Sequence, residues 1–164
     1  MQHPPEDHTH MIRFAKLTDY ALRIATELAR AQEQTHSSAQ LSERTGLEAT
    51  TVAKVLKQLG KCGLVESFRG ASGGYRLVVP APSLTVASIV EAMEGPLGLT
   101  ACVVEPGSCM HEGRCAISAP MHKISRVIEN ALRAVSLDEL SRAAPTRPQP
   151  KPNRSIHIAG TVHG

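Results

Sequence analysis

The chain has 164 residues and a net charge of only +3 at pH 7, enough length for one domain with an appended helix but no charge excess that identifies a partner. Aromatic residues make up 2% of it, so any core has to be aliphatic. No run of about eighteen apolar residues exists, which excludes a transmembrane helix.

Residues 1–10 are polar and rich in His and Pro, without the hydrophobic stretch of a secretory signal. They read as a disordered N-terminal extension, with Met11 able to serve as a start. A cytoplasmic location is expected, where thiols stay reduced. A first helix is expected from Thr18 to about Gln32, with Thr18 as its cap, Asp19 in its first turn and Leu22, Ala25, Leu28 and Ala29 on one face. Ser37 and Ser38 are placed to cap a short second helix, 39–44, stopped by Thr45 and Gly46. A third helix, 49–61, should turn Val52, Val55, Leu56 and Leu59 inward and Thr50, Thr51, Lys54, Lys57 and Gln58 outward. Two helices around a Gly-containing turn make a helix-turn-helix.

Strands are expected at 64–68 and 75–79, joined by the Gly-rich tip Arg69-Gly-Ala-Ser-Gly-Gly74. A helix-turn-helix followed by such a hairpin is a winged helix. Between Met11 and Pro80 ten Lys and Arg face six Asp and Glu, an excess compatible with a phosphate backbone as well as with an ordinary solvated surface. Ser83 or Thr85 should start a further helix, broken at Gly95-Pro96. Ile117, Met121, Ile124, Ile128, Ala131 and Val135 then step by four and three, a heptad-like seam on a helix of about 118–136. The expected fold class is mainly α: a winged helix-turn-helix with a two-stranded β wing and a long dimerisation helix. Its expected divisions are the extension 1–10, a DNA-binding domain 11–82, a loop and dimerisation helix 83–140, and a disordered tail 141–164, Pro-rich from Ala144.

Between those last two helices Cys102, Cys109 and Cys115 fall within fourteen residues, among one Pro and two Gly. Such a loop can bend so that its sulfurs converge. Three reduced thiolates in one short loop point to a metal or cluster rather than disulfides. The Cys-x6-Cys-x5-Cys spacing is wider than the pairs of structural zinc sites, and unliganded thiols remain the alternative. Cys62, alone at the end of the third helix, reads as a small core or boundary residue.

Phe14-Ala-Lys-Leu-Thr-Asp-Tyr-Ala-Leu22, Gly63-Leu-Val65, Arg69-Gly70, Gly73-Gly-Tyr-Arg-Leu77, Glu94-Gly-Pro96 and the three cysteines together resemble the IscR/NsrR family of bacterial transcription regulators. Leu17-Thr-Asp-Tyr-Ala21 and Gly95-Pro-Leu-Gly-Leu-Thr100 look most like the branch that regulates the SUF iron–sulfur assembly operon. The resemblance spans about 11–140. It implies a homodimer, double-stranded operator DNA as partner, and an iron–sulfur cluster, 2Fe–2S or 4Fe–4S, on Cys102, Cys109 and Cys115.

In some members a histidine soon after the third cysteine completes the ligand set, but Ser118 stands there. His111, His122, Glu105 and Glu112 are nearby candidates. In other members the start of the first helix of the second subunit supplies the ligand, and Asp19 occupies that position. Asp19 also suits the positive end of a helix with no ligand role at all.

For DNA, Thr50, Thr51, Lys54 and Lys57 of the third helix can reach bases or phosphates, and Arg69 and Arg76 flank the wing. Ser38, at the start of the second helix, can offer its backbone amide to phosphate. The resulting expectation is a repressor whose operator affinity follows its cluster. A metal-free, thiol-based redox regulator is the rival. No paired catalytic carboxylates, nucleophile elbow or phosphate loop suggests an enzyme.

Overall fold

The computed structural model describes residues 13–70 and 73–143. Helix α1 runs Lys16–Arg30. Thr18, Ala21, Ile24, Ala25 and Leu28 recur at helical spacing and are all buried, so α1 lies inside the fold. Thr18 is therefore not the cap expected of it. The helix starts two residues earlier, and Ala15 occupies the cap position with no side-chain bond. The Ala15 N–H instead donates to Glu94 Oε1 at 2.9 Å, and the Thr18 hydroxyl is buried without a partner.

Helix α2, Ser38–Thr45, begins with a capping box in which Ser37 Oγ accepts from the Gln40 N–H and Gln40 Oε1 accepts from the Ser37 N–H. It ends where Gly46 takes φ +70°, the left-handed conformation that glycine adopts without penalty, and donates its N–H to Ser42 O. Helix α3, Ala49–Lys61, buries the four aliphatics expected to face inward.

Strands β1, Val65–Phe68, and β2, Gly74–Leu77, pair antiparallel with Val65 opposite Leu77 and Phe68 opposite Gly74. They are shorter than expected, and the hairpin tip at 71–72 lies outside the described residues. His36, unremarked in the sequence, is 2% exposed and adds a third rung. Its N–H donates to Tyr75 O at 3.0 Å and its carbonyl accepts from the Tyr75 N–H at 2.9 Å. Gly74 permits that approach, because a Cβ there would stand 2.7 Å from the His36 carbonyl.

Thr85 caps helix α4, Val86–Glu94, with a second capping box. A single turn, α5, covers Ala101–Val104, and the long helix α6 covers Ser118–Ala134. The chain then does something the heptad pattern did not announce. Val135 leaves helical conformation, Ser136 forms a bridge with Thr85, and a last helix, α7, runs Leu137–Ala143. Leu137 is fully buried, and α7 packs along α1. Residues 141–143 thus belong to the fold rather than to a disordered tail. The expected extension at 1–10 and the rest of the tail fall outside the described residues. Helices α1–α4 and α7 share one aliphatic core. Among the described residues no helix is long and apolar enough to cross a membrane.

Candidate nucleic-acid interface and cysteine loop

Helix α3 buries one side in the core and leaves the other bare. Thr50, Lys54 and Lys57 are exposed and Thr51 is half-buried, all on the outward stripe. Among the described residues neither lysine is held in an ion pair. Ser38, half-buried, is the first residue of α2, so its N–H belongs to the free donors of that helix start.

The hairpin sorts its side chains by strand alternation. Glu66, Arg76 and Phe68 share the outer face, where Arg76 pairs with Glu66 at 3.0 Å and lies over the Phe68 ring at 4.8 Å. Arg69 is exposed at the start of the tip. The inner face carries Val65 and Leu77 at its base, then Ser67 and Tyr75, which turn toward α3. These last two were missed in the sequence, although the alternation that places them was visible there.

Helix α4 connects this region to the cysteines. Gln58 Nε2 of α3 donates to Ala92 O of α4 at 2.9 Å, and Cys62 Sγ, at an exposed helix end, lies 3.6 Å from the same oxygen. On the far side Arg133 of α6 bonds to Glu129 and reaches Glu91 of α4. The hydrogen bond with Glu129 and the charge of Glu91 raise the Arg133 pKa above its ordinary value.

The thiols sit between α4 and α6. Cys102 is 8% exposed on α5, with Sγ 3.2 Å from Thr100 Oγ1. Cys109 and Cys115 are half-buried in successive turns, closed by Glu112 N–H to Cys109 O and Cys115 N–H to Glu112 O. Glu112 also accepts from the Gly107 N–H at 2.7 Å. His111 is exposed, and His122 is half-buried on α6. Asp19 is exposed in the first turn of α1.

Among the described residues no three His, Cys, Asp or Glu side chains stand close enough to hold a metal ion. The expected convergence of the three sulfurs is therefore absent from this arrangement. Its physical origin is local: each thiol is placed by the turn that carries it, and thiols have no mutual attraction that would override those turns. As a donor set the three fit an iron–sulfur cluster, since soft thiolates suit iron. The turns between Cys102 and Cys115 are closed by bonds no more than five residues long, and none of the three thiols belongs to the main aliphatic core cluster.

A helix-turn-helix whose second helix lies bare beside a β hairpin defines a winged-helix DNA-binding protein. Residues 14–143 match the model of the Rrf2 family, described as iron-dependent transcriptional regulators. The chain belongs to that family and is a transcriptional regulator. It is 33% identical over 122 residues to the HTH-type transcriptional regulator IscR of Xenorhabdus nematophila, covering 74% of each chain. It is 29% identical to protein aau3 of Rhizobium meliloti over 82% of this chain and 88% of that one. Among solved structures, the fold resembles T. potens IscR, with TM-score 0.64, 24% identity and coverage of 80% and 88%. It also resembles CymR, the global cysteine regulator of B. subtilis, with TM-score 0.66, 24% identity and coverage of 82% and 100%.

Proposed function

We propose that the chain acts as a homodimeric repressor of iron–sulfur assembly (SUF-type) or stress genes, with operator affinity set by an iron–sulfur cluster. Cys102, Cys109 and Cys115 hold the cluster in this reading, with Asp19 of the partner subunit as fourth ligand. Ser38, Thr50, Thr51, Lys54, Lys57, Arg69 and Arg76 meet the operator. When bound, such a cluster supplies a ligation state that changes with iron supply and oxidants. The observation that carries the reading is the position of the thiol loop. It leads out of α4, which hydrogen-bonds α3 through Gln58 and Ala92, and into α6, which contacts α4 through Arg133 and Glu91.

A dimer has to present its two α3 helices about one DNA turn, roughly 34 Å, apart. A shift of α4 that alters this spacing by a differential of about 1.4 kcal/mol changes operator occupancy tenfold. Exposed Ile117, Ile124 and Val127 give α6 an apolar surface suited to the dimer contact.

Anaerobic purification with absorbance, iron and acid-labile sulfide measurements tests the cofactor, on wild type beside Asp19→Ala, His111→Ala and His122→Ala. Wild type should carry iron and sulfide, and Asp19→Ala should change the spectrum while the histidine variants leave it alone. Protein free of both would remove the cluster from the account.

A second reading keeps the DNA contact and makes the thiols themselves the sensor, through disulfide or sulfenate formation. One observation favours it: a fold neighbour is an oxidised form of Staphylococcus aureus CymR. Iron-free protein whose mass changes on peroxide treatment is its expected signature.

A further inference from the structure

Ser67 lies opposite Tyr75 in the hairpin and Val65 opposite Leu77, so the four side chains share one ribbon face. Val65 and Leu77 close the base of that face in the core, and Ser67 and Tyr75 continue it outward. Facing them, α3 presents Ala53, Lys57 and Gly60, spaced by four and three and therefore in one stripe. An open cleft of about 510 Å³ lies between.

Its polar groups are one-sided. The Lys57 ammonium, the Ser67 hydroxyl and the Tyr75 phenol can all donate, none has a partner among the described residues, and no carboxylate lines the cleft. Glu66 is on the opposite face of the ribbon, occupied by Arg76. Tyr75 is fixed at its backbone by both bonds to His36, so its ring is delivered from a rigid strand. Two further exposed cations lie close by in the chain, Lys54 one turn before Lys57 and Arg69 two residues beyond Ser67. Exposed cations on both α3 and the start of the wing tip suit a polyanionic chain better than a single free ion.

We propose that this cleft seats a backbone phosphate of the bound DNA, gripped by Lys57, Ser67 Oγ and Tyr75 Oη between α3 and the wing. The proposal rests on the assignment of α3 and the hairpin to the DNA contact. Such a grip fixes the register of α3 on the duplex and carries no sequence information itself.

The test uses the full chain with Ser67→Ala, Tyr75→Phe and the double variant, titrated against operator and random duplex by fluorescence anisotropy. Each single change removes one hydrogen bond to a charged oxygen and should weaken both DNAs by the same factor, roughly tenfold. A scan of single methylphosphonates across the operator should find one position whose neutralisation weakens wild type clearly more than the double variant, in which only Lys57 still holds that phosphate. Lys57→Gln should lower the log–log salt slope by about 0.9, the share of one phosphate.

Loss on the operator alone would make the cleft a reader of bases and overturn the proposal, as would variants that bind both DNAs like wild type. Failure of wild type to bind any duplex would strike the underlying assignment instead. Thermal unfolding of each variant separates lost contact from lost fold, and the methylphosphonate position and Lys57 slope decide the matter if Tyr75→Phe is unstable.

Discussion

The DNA-reading module and the cysteine loop sit side by side but are held by different forces. In the module Ile24, Leu28, Leu41, Val52, Val55, Leu56 and Leu59 are at most 1% exposed, and elements distant in sequence are cross-tied by Gln58 to Ala92 and His36 to Tyr75. Between Gly95 and Ile117 the only buried residue is Cys102, and one bond from the Leu99 N–H to Ser125 Oγ reaches beyond neighbouring turns. Burial of aliphatic area and close packing stabilise the first region, whereas local hydrogen bonds shape the second. The proposed sensing role would need that contrast: a segment that can rearrange at small cost, joined to a reader that cannot.

The largest effect is expected where the contrast is sharpest. Leu137→Ala, which empties a fully buried site between α7 and α1, should cost about 2–5 kcal/mol in chemical unfolding, and a loss near zero would detach α7 from the core. Gly74→Ala drives a Cβ into the His36 carbonyl and should cost roughly 1–3 kcal/mol, with weakened DNA binding as the wing shifts. Ser37→Ala removes the capping box of α2, worth about 1 kcal/mol by the same measurement. Cys109→Ser and Cys115→Ser should change the stability of metal-free protein by no more than about 0.5 kcal/mol, since both thiols lie in local turns. A large loss there would mean that the loop is part of the rigid framework after all.

The same contrast explains how much was legible in the sequence. Helices α2, α3 and α4 announce themselves through caps and 3.6-residue spacing; α3 has the expected bounds, and those of α2 and α4 differ by a residue or two. Thr18 misled because a threonine before an acidic residue has the look of a cap, while burial of its side chain carried the helix two residues further back. Helix α7 escaped because two apolar positions, Leu137 and Leu140, make no readable period. Its one signal is Ser136, three residues before Glu139, whose N–H donates to Ser136 Oγ.

In the site, hairpin alternation was enough to put Ser67 and Tyr75 beside α3, but the positive charge of Arg69 and Arg76 drew attention first. The separation of the sulfurs in this arrangement could not be read at all. Spacing shows that three thiols can reach one point, and only a shared ligand provides the force to bring them there.

Operator affinity measured anaerobically on cluster-loaded protein and on the same preparation stripped of iron tests the central claim most directly. The account predicts dissociation constants at least tenfold apart, a difference that vanishes in Cys102→Ala, Cys109→Ala and Cys115→Ala, equivalent to about 1.4 kcal/mol of coupling. Equal affinity of the loaded and stripped forms would contradict it.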